Sequence, residues 1–300
     1  GIDVDKHTVD WKVDGFSANV DSEILFSDNY AVLMSDDAIL LIDNQGQKTF
    51  LNLNERRRGN IDLAAVHGNY IYVIRGGFWD LEVYDITTNK MLWETSTGRG
   101  GTSIYYESSI DTAYVINSSS IRAFNNSIGE LLWEYEIEVD QSSYANGVLY
   151  LVEDDSDSKK YSIMAFDVVA RKIIWYEEFN YNLEIYVNGL SIFQEVLVLS
   201  TRYNFIAFDI ANGKPKWRSS VEDIFYTKPV LLGDVLYVKG VSKKVYAISF
   251  IDGATVGFVQ LESDSNFLFT PSYEADSGVY LFQDVIALKT EDGIVFYGPK

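Results

Sequence analysis

The chain has no cysteine among its 300 residues, which excludes disulfides, thiolate nucleophiles, cysteine-ligated zinc and thioether-linked haem. Histidine is nearly as scarce: His7 and His67 are far apart, and neither stands at metal-ligand spacing. His67, in "AAVHGNYIYV", reads as a turn residue ahead of a strand. Positive charge is also short, with 24 Lys and Arg against 44 Asp and Glu, a formal net charge of -20 and a pI near 4.4. Such a surface lacks the cationic footprint that phosphate backbones require, so nucleic acid and anionic membrane drop out as main partners. No apolar run approaches the roughly 20 residues of a membrane span. The sequence opens at "GIDVDKHT" without a signal-peptide pattern, so localisation has to be reached indirectly. There is no G-x-S-x-G elbow, phosphate-binding glycine loop or dinucleotide fingerprint.

What the sequence does have is apolar mass and a repeat. Hydrophobic residues make up 47% of the chain and aromatics 15%, enough for a large core. The segments "VYDITTNKMLW" (Val83 to Trp93), "AFNNSIGELLW" (Ala123 to Trp133), "AFDVVARKIIW" (Ala165 to Trp175) and "AFDIANGKPKW" (Ala207 to Trp217) align along their length, their tryptophans stepping by 40, 42 and 42 residues. Two weaker copies continue the register, "AISFIDGATVG" (Ala247 to Gly257) and "ALKTEDGIVFY" (Ala287 to Tyr297). An earlier one, "LIDNQGQKTF" (Leu41 to Phe50), is one residue shorter and uses Phe. Apolar runs rich in β-branched and aromatic residues, such as "YIYVI" and "VLYLV", precede the copies, and no segment sustains a helical period.

Each unit therefore reads as four antiparallel strands, A to D, and a four-stranded unit repeated about every 40 residues predicts a β-propeller blade. The Asp or Asn after strand C is suited to bonding turn amides, and the Gly supplies a positive φ. Strand D then carries Trp toward the neighbouring blade. The small Ala at 123, 165, 207, 247 and 287 is expected to let sheets approach in the crowded inner part of the blade. The predicted fold is all-β: a single domain over 1–300, a propeller of seven or eight four-stranded blades. The N-terminal strand "TVDWKV" (Thr8 to Val13) closes the ring. Trp11, Trp93, Trp133, Trp175 and Trp217 are the expected blade-docking residues.

The pattern A-x-D-x-x-x-G-x-x-x-W, complete at Ala207, Asp209, Gly213 and Trp217, resembles the tryptophan-docking motif of the quinoprotein-type (PQQ-like) propeller repeat family. Departures stand at Asn125, Ser249 and Lys289 for Asp, Asn89 and Arg171 for Gly, and Gly257 for Trp. The quinone enzymes of that family are longer, use a vicinal cysteine pair and hold calcium near the axis. The absent cysteines and the scarcity of sequence outside the blades lead us to expect no cofactor and no enzyme. In "EDDSDS" (Glu153 to Ser158), Asp155 and Asp157 alternate as in calcium loops, yet neither the turn Gly nor the twelfth-position Glu follows. A solvated hairpin tip is the reading, with weak calcium binding as its alternative.

Residues that break the repeat mark the expected partner site. Phe78 and Trp79, in "RGGFWD", lie between strands B and C of the second unit, where they either anchor a partner or tuck onto their own blade. The D-to-A connections add Arg56, Arg57 and Arg58 in "ERRRGN", and Phe225 and Tyr226 in "VEDIFYTKP". By strand alternation, B–C turns and D–A connections leave a blade at the same end. The chain is similar to the BamB type of this family, which implies a periplasmic, non-catalytic scaffold for outer-membrane protein assembly; Asp223 is the residue carried over from it. "DKHTVDW" and "DLAAVHGNYIYVIRGG" are similar to the luminal propeller of the first subunit of the endoplasmic-reticulum membrane complex. Asn117-Ser118-Ser119 and Asn125-Asn126-Ser127 form sequons compatible with a lumen. Both resemblances imply a protein partner and an extracytoplasmic place: periplasm, cell surface or lumen. The alternative function is a glycan-binding or glycan-processing propeller, which requires convergent carboxylates and aromatics.

Overall fold

A polar turn after each apolar run lets the chain reverse, and each repeat closes as a meander whose neighbours in sequence are neighbours in the sheet. The computed structural model describes residues 2–3, 8–9, 24–26, 29–35, 38–43, 45–53, 60–75, 80–97, 101–155, 160–180, 187–221, 223–225, 228–242, 244–260, 279–282, 285–290 and 293–297. They fall into two compact units, 1–138 and 139–300.

In the first unit, β1 (Ile2–Asp3) pairs with β2 (Thr8–Val9). Three four-stranded antiparallel sheets follow. One holds β3 (Ile24–Phe26), β4 (Tyr30–Met34), β5 (Ile39–Asp43) and β6 (Lys48–Phe50). The next holds β7 (Ile61–His67), β8 (Tyr70–Arg75), β9 (Asp80–Asp85) and β10 (Lys90–Ser96). The third holds β11 (Gly101–Glu107), β12 (Thr112–Asn117), β13 (Ser120–Asn125) and β14 (Leu131–Glu136), with a short 3-10 turn at Ser108–Ile110.

The second unit has three more four-stranded sheets. The first comprises β15 (Gln141–Ala145), β16 (Val148–Asp155), β17 (Lys160–Asp167) and β18 (Lys172–Asn180). The second comprises β19 (Val187–Phe193), β20 (Val196–Thr201), β21 (Asn204–Asp209) and β22 (Pro215–Ser220). The third comprises β23 (Val230–Leu232), β24 (Val235–Lys239), β25 (Lys244–Ser249) and β26 (Thr255–Gln260). A three-stranded sheet of β27 (Val279–Phe282), β28 (Val285–Thr290) and β29 (Gly293–Tyr297) ends the chain. The expected N-terminal strand is described at Thr8–Val9, paired with Ile2–Asp3, and Trp11 lies outside the described residues.

The middle strands are buried on both faces, which explains their unbroken apolar runs: every residue of β12 and β20 is buried. The fourth strands are largely exposed, and five of them, β10, β14, β18, β22 and β26, carry one irregularity at a fixed place. Ala207 pairs with Trp217 but Phe208 pairs with Pro215, so Lys216 is an extra, bulged residue. Leu92, Leu132, Ile174 and Val256 occupy the same position in their strands. A bulge bends an edge strand and spoils it as a template for further pairing, and it re-aims the residue beside it, here the Trp. The register places Ala123, Ala165 and Ala207 directly opposite Trp133, Trp175 and Trp217, whereas Val83 faces Trp93 and Ala247 faces Gly257.

Three of the expected docking tryptophans reach the turn of the following sheet. Trp175 Nε1 donates to the Ile210 carbonyl at 3.0 Å, Trp217 to Phe250 at 2.9 Å and Trp93 to Asn126 at 2.5 Å. The indole then lies over the turn glycine: a Cβ on Gly213 would come within 2.5 Å of Trp175, and one on Gly129 within 2.6 Å of Trp93. Both glycines also hold φ near +70°, so the position excludes a side chain twice over. Trp133 is half-buried against Tyr114 of its own sheet, with ring centroids 5.8 Å apart.

The acidic residue of the motif caps the turn as expected. The Oδ1 of Asp167 accepts from the amides of Val169 and Ala170, and that of Asn125 from Ser127 and Ile128. Burial works to raise the Asp85 carboxyl, but hydrogen bonds from Thr87 and Thr88 outweigh it and hold the group below its ordinary value.

The first copy departs for a physical reason. Being one residue shorter, it lacks the bulge, so Leu41 faces Thr49 and Phe50 falls on the opposite face, 58% exposed. Phe50 is thus not the docking aromatic that its alignment suggests. Asn89, in the glycine place of the next copy at φ +54°, bridges the gap. Its Oδ1 accepts from the Asn52 amide at 2.9 Å, and its Nδ2 donates to the Phe50 carbonyl at 3.0 Å.

Candidate functional site

Of the residues singled out for partner binding, Asp223 and Phe225 are described. In the first unit, Arg56, Arg57, Arg58, Phe78 and Trp79 lie outside the described residues. The strand ends that flank 76–79 in the sequence are described, and they are polar and buried. Arg75 and Asp80, paired across β8 and β9, are 5% and 7% exposed. Arg75 Nε stands 3.2 Å from both carboxylate oxygens of Glu82, itself fully buried, and Tyr84 donates its hydroxyl to Glu82 at 2.5 Å. A buried carboxylate is tolerable only with such partners, which orient it and offset its desolvation.

In the second unit the D–A connection is a strap. The Phe225 amide donates to the Arg202 carbonyl at 2.9 Å, Phe225 forms a β-bridge with Gly240, and the Val241 amide donates to Ile224 at 3.0 Å. Asn188 Nδ2 donates to the Phe225 carbonyl at 2.5 Å. The strap therefore stitches the β20–β21 turn to the β24–β25 turn. Phe225, expected to be a surface anchor, is a core ring, fully buried with centroids 5.0 Å from Phe205 and 5.6 Å from Tyr246. Asp223 is likewise turned inward: its carboxylate accepts from the Ile224 amide at 2.8 Å and from both the amide and the hydroxyl of Ser242. Tyr226 lies outside the described residues. A strap explains the sequence better than an anchor, since Val221 and Phe225 join one core cluster while the acid between them caps backbone.

Near the strap, two half-buried cations lie against exposed aromatic rings. The Arg202 guanidinium lies 5.5 Å from the ring centroid of Tyr203, which is exposed, and Lys244 Nζ lies 4.5 Å over the exposed ring of Phe258. Cations over ring faces are attracted by the aromatic quadrupole, and the Arg202 Nε is itself buried.

A further network, not legible from sequence, lies at the other end of the first unit's sheets. Tyr72 donates to Asn126 Oδ1 at 2.6 Å, and Asn126 Nδ2 donates to Asp111 Oδ1 at 3.1 Å. Asp111 also accepts from the hydroxyls of Tyr106 and Ser127. Burial and the Asp111 hydrogen bond push the Tyr106 phenol up to about 12. Burial also raises Tyr72 strongly, while Asp111, against the effect of its own burial, is held low by the groups that donate to it. Its members satisfy one another, so the network holds sheets together. His67, which ends β7, is drawn into the same packing: Nε2 donates to the Ile104 carbonyl at 3.1 Å, the ring meets Tyr72 edge-on, and burial lowers its pKa.

Both sequon asparagines are spent on turns. Asn117 is buried, and its Oδ1 accepts from the amides of Ser119 and Ser120, while Asn125 is the motif cap. Asp155 ends β16, and Asp157 lies outside the described residues, among which no three His, Cys, Asp or Glu gather to hold a metal.

Tandem four-stranded meanders, three of them carrying an indole that lies on a turn glycine of the following sheet, place the chain in the class of β-propeller repeat proteins with quinoprotein-type blades. The model of one family, described as outer membrane protein assembly factor BamB, matches residues 36–257. The chain belongs to that family. Among solved structures it is similar to BamB from Moraxella catarrhalis, at 16% identity, TM-score 0.64, covering 91% of this chain and 80% of that one. A computationally designed protein, Ika8, gives 12% identity and TM-score 0.70 over 92% and 82%. Kluyveromyces lactis Hsv2 gives 9% and 0.66 over 92% and 88%. At these identities the likeness is one of fold. A search of curated protein sequences finds no match. Among the described residues no helix is long and apolar enough to cross a membrane.

Proposed function

We propose that the chain is a non-catalytic protein-interaction scaffold of the BamB kind, acting outside the cytosol in the assembly of membrane proteins. In this reading its blades close one ring of seven or eight, completed by the N-terminal strand. It binds its partner through B–C turns and D–A connections. The match of the BamB family model to residues 36–257 carries the reading. The use of motif residues agrees with it, because Trp, Gly and Asp are all consumed by packing and turns, which leaves loops to vary.

Site-specific photo-crosslinking tests it. A photoreactive residue at position 79 is expected to yield one discrete protein adduct, lost when Arg56, Arg57 and Arg58 are changed together to Glu, whereas a probe at exposed Leu132 yields none. Equal labelling from both positions overturns the proposed surface.

A further inference from the structure

Asparagine followed by glycine is the pair most prone to lose its side-chain amide spontaneously, because glycine puts no side chain in the way of ring closure. The pair occurs three times, as Asn146-Gly147, Asn188-Gly189 and Asn212-Gly213. The fold treats the three differently. Asn212 is exposed, but its Oδ1 accepts from the Lys214 amide at 2.9 Å. The Gly213 amide, the nitrogen that would have to attack, donates to the Asp209 carbonyl at 2.8 Å beneath the Trp175 indole. Asn188 is half-buried and donates its Nδ2 to the Phe225 carbonyl at 2.5 Å, while buried Gly189 pairs with Ser200 inside the sheet and has Lys228 against it. Asn146 and Gly147 instead form the two-residue turn between Ala145 and Val148, which pair across β15 and β16, at φ of +52° and +77°. Asn146 is exposed, and a Cβ on Gly147 would meet nothing within 4 Å. Among the described residues, neither the Asn146 side chain nor the Gly147 amide has a hydrogen-bond partner.

From these three environments we infer that the fold selects Asn146 as the chain's Asn-Gly site of spontaneous deamidation and isoaspartate formation. The co-reactants are hydroxide and water. Hydroxide removes the Gly147 amide proton, the nitrogen attacks Asn146 Cγ, and an N–Cγ bond forms. The Cγ–Nδ2 bond then breaks and ammonia leaves, which closes a five-membered succinimide. Water opens that ring at either carbonyl, giving aspartate with the original backbone or isoaspartate, whose main chain runs through the former side-chain carbon. Nothing is oxidised or reduced. A two-residue turn at a sheet end, built of exposed and half-buried residues, opens at little cost and lets the Gly147 nitrogen swing toward Cγ. Closure at Asn212 has first to break a turn hydrogen bond under an indole, and closure at Asn188 has to part β19 from β20 and from Phe225. Either product adds a negative charge at the turn. Isoaspartate also adds a methylene to the main chain beside Gly147, whose carbonyl accepts from the Val168 amide at 3.2 Å. This chemistry is independent of the scaffold reading.

The test incubates the whole chain at mildly alkaline pH, folded and in urea, and follows each of the three asparagines by tandem mass spectrometry. Methyl transfer from S-adenosylmethionine by an isoaspartate methyltransferase, mapped to the peptide that contains residue 146, is the second readout. In the folded chain Asn146 is expected to convert about tenfold or more faster than Asn188 and Asn212, whose reaction waits on local opening. In urea the three are expected to convert at similar rates. Asn146→Gly, which suits a positive φ and has no side chain to cyclise, is expected to remove the methyl label from its peptide. Circular dichroism checks that this variant folds, and Asn146→Ser replaces it if it does not. Four results overturn the inference: folded Asn188 or Asn212 keeping pace with Asn146, Asn146 staying intact when folded while it converts in urea, the same preference for Asn146 in urea, or a converted residue 146 that accepts no methyl group.

Discussion

Trp175 and Gly213 occupy one another's space: the indole ring lies where a Cβ on Gly213 would come within 2.5 Å, while the indole N–H donates 3.0 Å to Ile210 in the same turn. Gly213→Ala is therefore expected to cost about 2 to 4 kcal/mol, from overpacking plus a positive φ that alanine resists. Urea unfolding should show the loss, whereas Gly147→Ala, whose Cβ would meet nothing within 4 Å, should cost only the backbone part.

Asn89 stands where the repeat has glycine, and restoring glycine is expected to destabilise. Asn89→Gly relieves a positive φ but removes hydrogen bonds to Asn52 and Phe50 with no indole present to profit. A net loss of about 1 kcal/mol is expected in chemical denaturation, and a larger one for Asn89→Ala, which keeps the strain.

Glu82 is fully buried between Arg75 and Tyr84. Glu82→Ala should lower stability by about 3 to 5 kcal/mol, because the buried guanidinium loses its counter-charge. Tyr84→Phe, which removes a single donor, should cost about 1.5 to 3 kcal/mol. If thermal melts rank the two variants the other way round, the carboxylate is not the centre of the network.

His67 has its pKa lowered by burial from the ordinary 6.5. As pH falls through 6.5 the unfolded chain takes up the proton before the folded one, so stability present above that pH is lost toward the lower folded value. Melting temperatures measured from pH 7.5 down to pH 5 should fall more steeply for the native chain than for His67→Gln, whose side chain does not titrate.

The period of 40 to 42 residues, the strand type and the turn chemistry were legible because each depends on local spacing: Asp209 reaches amides two residues on, and Gly213 supplies its own φ. The docking role of Trp93, Trp175 and Trp217 could be read for the same reason. The misreadings share one cause. Phe50 aligns with the tryptophans yet faces the other way, since one missing residue removes a bulge and inverts the face. Phe225 and Asp223 resemble loop anchors, yet a strap draws both inward.

By itself, then, the sequence determined the repeat, the antiparallel meander and the residues that cap and turn it, all interactions within a few positions of one another. Only the tertiary structure decided which side chains of the connections are core and which are surface. That depends on contacts between Phe225, Arg202 and Gly240, whose separation in the chain leaves no periodic trace.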